Sequence, residues 1–140
     1  MRVVLDTNIM LMAIPRHSKY ALILDELIEG NYEVAYSTEI LFEYQEIISN
    51  RSSTAVANQV LEMLINLPNA IAIEPYFRFN LIQADPDDNK FVDCAISANV
   101  KFIVSNDKHF NILKQIDFPK VEVVKIDDFL AWLEEKNISL

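Results

Sequence analysis

Two runs of three apolar residues, Val3-Val4-Leu5 and Phe102-Ile103-Val104, are each followed directly by polar residues that include an aspartate, Asp6 in one case and Ser105-Asn106-Asp107 in the other. A strand with one solvated face alternates apolar and polar residues, whereas a strand covered on both faces reads as an unbroken apolar run. These two segments therefore predict strands inside a parallel sheet that is covered above and below. Further short runs at Glu33–Ser37, Ala70–Ile73 and Val121–Lys125 complete the set, with the buried runs extended to Arg2–Asp6 and Lys101–Ser105.

Helical stretches fill the intervals. Ser18–Glu29 ends at Gly30, a good residue for a helix C-cap; Thr38–Ser49 follows Ser37, and Ser53–Asn66 runs to Pro68. Asp88–Asn99 follows Asp85-Pro86, a helix-start signal, and shorter helices are expected at Phe110–Gln115 and Asp127–Lys136. Strands alternating with helices predict an α/β sandwich around a mostly parallel sheet, in which ligands bind beyond the carboxyl ends of the strands.

Composition closes off several alternatives. Gly30 is the only glycine, so no glycine-rich phosphate loop, dinucleotide fingerprint or nucleophile elbow can be written in this chain. Cys94 is the only cysteine, which excludes an internal disulfide and a cysteine-based zinc site and fits a reducing cytoplasm. The apolar N-terminal run is broken by Asp6 and Asn8, so it reads as neither a secretory signal nor a membrane span. With no repeat or linker, residues 1–140 read as a single domain. A net charge of −9 argues against passive nucleic-acid binding, but bound divalent ions invert the local charge of an acidic pocket.

The acids themselves are ambiguous one at a time. Asp6 and Asp107 each fit a helix cap as well as a ligand. Two acids at the same end of two central parallel strands, however, lie side by side. Asp88 lies three and four residues before Phe91 and Val92, which share an apolar face with Ala95 and Ile96, so its carboxylate is expected to point inward. An unpaired buried carboxylate is costly, and a metal ion offsets that cost, although an acid at a helix N-terminus is also favourable. Asp93 falls about 140° around the wheel and is expected at the solvent or the rim. Glu43 borders the face made by Ile40, Tyr44, Ile47 and Ile48, and by itself reads as an ordinary helix acid. Carboxylates from four segments suit hard divalent cations, which polarise a phosphodiester and activate an attacking water. His17 and His109 are not at zinc-site spacing and are expected to be exposed. The basic residues Arg16, His17, Lys19, Arg51, Lys90 and Lys108 are candidates for phosphate contacts but, scattered on an acidic chain, read rather as solvated surface, and Phe77-Arg78-Phe79 as core with one exposed Arg. The apolar residues of the last helix, Phe129, Leu130, Trp132 and Leu133, are expected on the sheet.

The segments Val3–Asn8, Ser37–Tyr44, Asp85–Phe91 with Cys94-Ala95, and Phe102–Phe110 resemble, in order and spacing, the four acidic segments of PIN-domain nucleases. The resemblance covers nearly the whole chain. It implies a PIN-like three-layer α/β/α sandwich with a mostly parallel sheet of four or five strands. It also implies an endoribonuclease cleaving single-stranded or structured RNA with one or two Mg²⁺ or Mn²⁺ ions. Residue by residue, Asp6, Glu43, Asp88 and Asp107 match the metal-binding acids, and Asn8 and Ser105 match polar positions that hold them together. Among Asp87, Asp88 and Asp93, helical phase favours Asp88 as the third ligand. Small PIN proteins of the VapC type are often toxins that dimerise and bind an antitoxin protein. Ser105-Asn106-Asp107 stands where Thr-Gly-Asp is common; Ser keeps the hydroxyl, and Asn tolerates left-handed backbone angles.

Two other α/β classes fit less well. A haloacid-dehalogenase phosphatase needs an acid two residues after the first aspartate, where this chain has Asn8. A receiver domain needs a phosphoryl-accepting Asp where the second strand ends in Ser37. A catalytically silent PIN-like module for protein binding or RNA tethering is the remaining alternative, and it predicts loss of acids from positions that here are all filled.

Overall fold

A computed structural model describes residues 1–138. Five parallel strands, β1 (Arg2–Leu5), β2 (Glu33–Tyr36), β3 (Ala70–Ala72), β4 (Phe102–Val104) and β5 (Val123–Val124), form one sheet in the order β3-β2-β1-β4-β5. All five predicted strands are present, each trimmed by a residue or more at its ends. Val3, Val4, Leu5, Ile103 and Val104 are fully buried, as continuous apolar runs in the two central strands require.

Helices flank the sheet: α1 (Thr7–Ala13), α2 (Ala21–Ile28), α3 (Thr38–Arg51), α4 (Thr54–Asn66), α5 (Asn89–Ser97) and α6 (Ile126–Ile138), with 3₁₀ turns at Pro86–Asp88 and Lys108–Gln115. The three-layer α/β/α expectation therefore holds. Helix α1 was not anticipated. It is only seven residues long, and its apolar residues run on from β1, so no change of period announces it. The region read as one helix from Asp88 to Asn99 is a 3₁₀ turn followed by α5.

Side chains start and stop these helices. Ser37 accepts the Ile40 N–H at the start of α3, and Ser53 accepts the Val56 N–H at the start of α4. At the end of α2, Gly30 adopts φ +83°; its N–H bonds to the Leu27 carbonyl and the Asn31 N–H to the Glu26 carbonyl. This is a Schellman closure, in which a left-handed residue turns the chain back over the last turn. Asn99, at φ 52°, closes α5 in the same way, with the Asn99 N–H on Ile96 and the Val100 N–H on Ala95.

The core is continuous from sheet to helices. Tyr44 is fully buried on α3 and donates its hydroxyl to the Leu5 carbonyl, tying that helix to the end of β1. Phe129 of α6 stands edge-on to Tyr32 and Phe102, with ring centroids 5.3 and 5.8 Å away, and stacks on Trp132. The expected docking of the last helix is thus observed. Because Phe129 links three aromatic neighbours at 1% exposure, Phe129→Ala should cost about 3–5 kcal/mol by urea denaturation. A loss below about 1 kcal/mol would show that α6 contributes little to the core.

Candidate active site

The chain runs outward from β1 through β2 to β3, then returns to place β4 on the other side of β1. The β1/β4 boundary is thus the topological switch point, where open α/β sheets form a crevice at the carboxyl ends of the strands. Leu5 pairs with Val104, and the Asp6 N–H bonds to the Val104 carbonyl at 3.1 Å. The polar residues after both strands therefore meet at this crevice.

Ser105 joins them. Its buried hydroxyl donates to Asp6 Oδ2 at 2.7 Å and accepts the Asp107 N–H at 3.0 Å. Asp6 also caps α1, with Oδ1 accepting the Thr7 N–H, and Asp107 caps the following 3₁₀ turn through the His109 N–H. The capping and clustering readings of these two acids are therefore both true. Asn8, expected to support the cluster, is instead exposed on the first turn of α1 and takes no part in its hydrogen bonds. Thr7 does so: its hydroxyl donates to Glu43 Oε2 in a short contact. Adjacent residues on a helix diverge by about 100°, so only one of the pair can face the crevice.

Glu43 is the second arm of the site. Its Oε1 accepts from Lys90 Nζ at 2.8 Å, and the same ammonium reaches Asp87 Oδ1 at 3.3 Å. Lys90 is not the solvated residue expected, for its side chain is only 12% exposed. Burial pulls its pKa down, but Glu43 and Asp87 outweigh this and leave it above the ordinary value.

Asp88 lies where helical phase predicted, at the junction of the 3₁₀ turn and α5, close enough to Asp6 and Asp107 for their charges to act on it. His109, expected to be exposed, joins it instead and turns Nδ1 toward Asp107 Oδ1 at 3.3 Å, Asp88 Oδ2 at 3.5 Å and Asp85 Oδ2 at 3.8 Å. Asp85, Asp88 and His109 can each offer a ligand atom within 4.8 Å of the others. Spacing rules for zinc motifs could not reveal this histidine; its position two residues after a strand-end acid could have.

Asp93 departs from expectation. It is buried rather than solvent-facing, and it accepts the Phe79 N–H at 3.1 Å. Burial raises its pKa, and the Phe79 N–H and Arg78 oppose the rise. Its neighbour in phase, Asn89, takes the Ile82 N–H and donates to the Ile82 carbonyl. Together they hold the segment after β3 against α5. That segment leaves Phe77 71% exposed rather than in the core, and with Tyr76 it borders a cavity of about 420 Å³ that Asp6, Glu43, Asp88 and Asp107 do not line. Arg78 pairs with Glu39.

The electrostatics divide the site into two arms. Desolvation, opposed by the Ser105 and Thr7 bonds and reinforced by Glu43 and Asp107, raises Asp6 to about 6. Desolvation, then repulsion from Asp107, Asp85 and Asp6, raises Asp88 to about 7. Asp88 Oδ2 and His109 Nδ1 are buried and face one another without forming a hydrogen bond. Asp85, Asp88 and His109, with the orphaned Asp88 Oδ2 and His109 Nδ1 among their atoms, fit a divalent cation, which would supply the missing positive charge, and Asp6 and Asp107 lie near enough to act on Asp88 by charge. Cys94, by contrast, is buried and its thiol is pushed up to about 12, so it is a core residue.

The fold and these residues define a parallel α/β protein that gathers carboxylates at the switch point of its sheet. A family model for the PIN domain matches residues 2–109, and the chain belongs to that nuclease family. Its fold is similar to that of a chain in the crystal structure of VapBC2 from Rickettsia felis bound to a DNA fragment from its promoter. The two share 22% identity over 89% of this chain and 98% of that one, with a TM-score of 0.61. No curated protein matches the sequence.

The raised pKa values give a pH dependence of definite sign. Between about pH 4 and 7 folded Asp6 and Asp88 hold protons that the unfolded chain has released, so stability declines as pH rises through that window. The melting temperature of the metal-free protein should fall between about pH 5 and 7.5, and Asp88→Asn should raise it at the upper end. A melting temperature lowered by Asp88→Asn at that pH would contradict charge crowding.

Proposed function

We propose that this chain is a metal-dependent endoribonuclease that cleaves single-stranded or structured RNA, acting as one nuclease domain. Its catalytic carboxylates are Asp6, Glu43, Asp88 and Asp107, with Mg²⁺ or Mn²⁺ held by Asp6, Asp88 and Asp107. The observation that carries this reading is the convergence of those three acids from separate segments, with the buried Asp88 Oδ2 lacking a partner. When bound, the ion polarises the phosphodiester and lowers the pKa of the attacking water.

The protein's own residues provide order. Ser105 fixes the Asp6 carboxylate relative to the Asp107 backbone, so that one hydroxyl sets the spacing of two acids. Thr7 and Lys90 hold Glu43 at the opposite edge, where it can orient water without swinging away. His109 and Asp85 close the side nearest Asp88. None of these steps needs a nucleophilic side chain.

The likeness in fold to a chain of the VapBC2 complex supports a role as the toxin of a toxin–antitoxin pair, with an antitoxin protein as partner and a homodimer as the working unit. Cytoplasmic action fits this role. Among the described residues no helix is long and apolar enough to cross a membrane.

Asp6→Asn keeps the size and the acceptor oxygen of the side chain while removing its charge. It should abolish Mn²⁺-dependent cleavage of a single-stranded RNA without changing the circular-dichroism spectrum. Ser105→Ala, which frees Asp6 rather than removing it, should lower metal affinity or activity about 10- to 100-fold. Undiminished cleavage by the Asp6→Asn variant would refute the assignment.

A further inference from the structure

Positive charge is distributed unequally between the arms of the site. Among the described residues, Lys90 is the only lysine or arginine that forms an ion pair with any of the four acids Asp6, Glu43, Asp88 and Asp107. Its ammonium lies 2.8 Å from Glu43 Oε1, while Glu43 Oε2 takes the Thr7 hydroxyl. Among the described residues, Asp6, on the other arm, receives only neutral donors, the Ser105 hydroxyl and the Thr7 N–H. Asp88 Oδ2 has no hydrogen-bond partner.

The lysine cannot readily withdraw. It belongs to the first turn of α5, whose next residues Phe91 and Val92 are fully buried, and its own side chain is 12% exposed. It also has a second anion, Asp87 Oδ1, at 3.3 Å. A divalent ion added to the Glu43 carboxylate would therefore meet a fixed like charge already in contact with its intended ligand.

We propose that Lys90 is the resident cation of the Glu43 arm, a positioning residue that confines the site to a single divalent ion on the Asp6–Asp88–Asp107 arm. Glu43 then acts as an oriented carboxylate held by Lys90 and not as a ligand to a second ion. This inference rests on the reading of the aspartates as a cation site, and deepens it by fixing the ion count. His109 turns its Nδ1 to Asp107, Asp88 and Asp85, so it belongs to the aspartate arm and leaves Lys90 as the cation in contact with Glu43.

The test is Mn²⁺ binding to the full chain, counted by titration calorimetry and by electron paramagnetic resonance of the free ion. The parent protein should take up a single ion, lost in Asp6→Asn. Lys90→Met, which keeps the aliphatic stem and removes the charge, should gain a second ion, and Lys90→Arg should restore the single one. A lysine with a merely structural role would leave the count unmoved. A parent that binds two ions, or a folded Lys90→Met variant that stays at one, overturns the proposal while the cation-site reading survives. A parent that binds none overturns both. If Lys90→Met fails to fold, Glu43→Gln decides: its affinity should stay within about threefold of the parent, and a loss of tenfold or more, typical when metal coordination is perturbed, overturns the proposal.

Discussion

The parallel pairing of β1 with β4, Leu5 opposite Val104, is the constraint on which the rest of the site depends. It stacks two strand ends that lie about a hundred residues apart in sequence, and it does so with strands that are buried on both faces. From that register, the Asp6 N–H reaches the Val104 carbonyl and the residue after β4, Ser105, reaches the Asp6 carboxylate. The spacing of Asp6 and Asp107 is thus a consequence of sheet geometry. Loop flexibility, which usually blurs a site built on connections, has little room to act when both acids cap the element that follows them.

Such a site is costly to assemble. Two carboxylates with raised pKa values and an unpartnered buried oxygen stand where a sequence selected for stability alone would place neutral or paired groups. Local conflicts of this kind are expected at functional positions, where the surrounding core must over-determine the strained arrangement. The full burial of Val4, Leu5, Ile103 and Val104 beneath the acids and of Tyr44 beside them supplies that support.

Much of the fold was legible because its signals were local. The strand runs, the serine caps at Ser37 and Ser53 and the glycine stop at Gly30 each act within a few residues of themselves. Asp88 was also legible, because helical phase decides which way a side chain leaves the axis. What escaped was pairwise and non-local. Lys90 was read as solvated because nothing near it in sequence announces Glu43, 47 residues away. His109 was set aside on motif spacing, although its neighbours in space come from the turn at Pro86–Asp88 and from Asp107. Phase relative to Asp88 assigns Asp93 to solvent or the rim of the site, but a second segment, around Phe79, covers that side of the helix. Phe77 failed in the opposite sense: an aromatic residue in an apolar-looking stretch was read as core, yet the segment is held by the backbone at Phe79 and Ile82 and leaves the ring outside.

These misreadings converge on one helix. Over the first turns of α5 and the residue before it, Asp88, Asn89, Lys90 and Asp93 face different neighbours: the aspartate cluster, the Ile82 backbone, Glu43 and the Phe79 backbone. Between them Phe91, Val92 and Ala95 anchor the helix to the sheet. A rotation of α5 about its axis by even part of a turn would disturb all four polar contacts together, and the buried apolar residues forbid it. The helix therefore couples the two arms of the site mechanically. The distance between Asp88 and Glu43 is set by how α5 packs, and so the apolar periodicity that first made this segment recognisable as a helix also determines how the acidic site is divided.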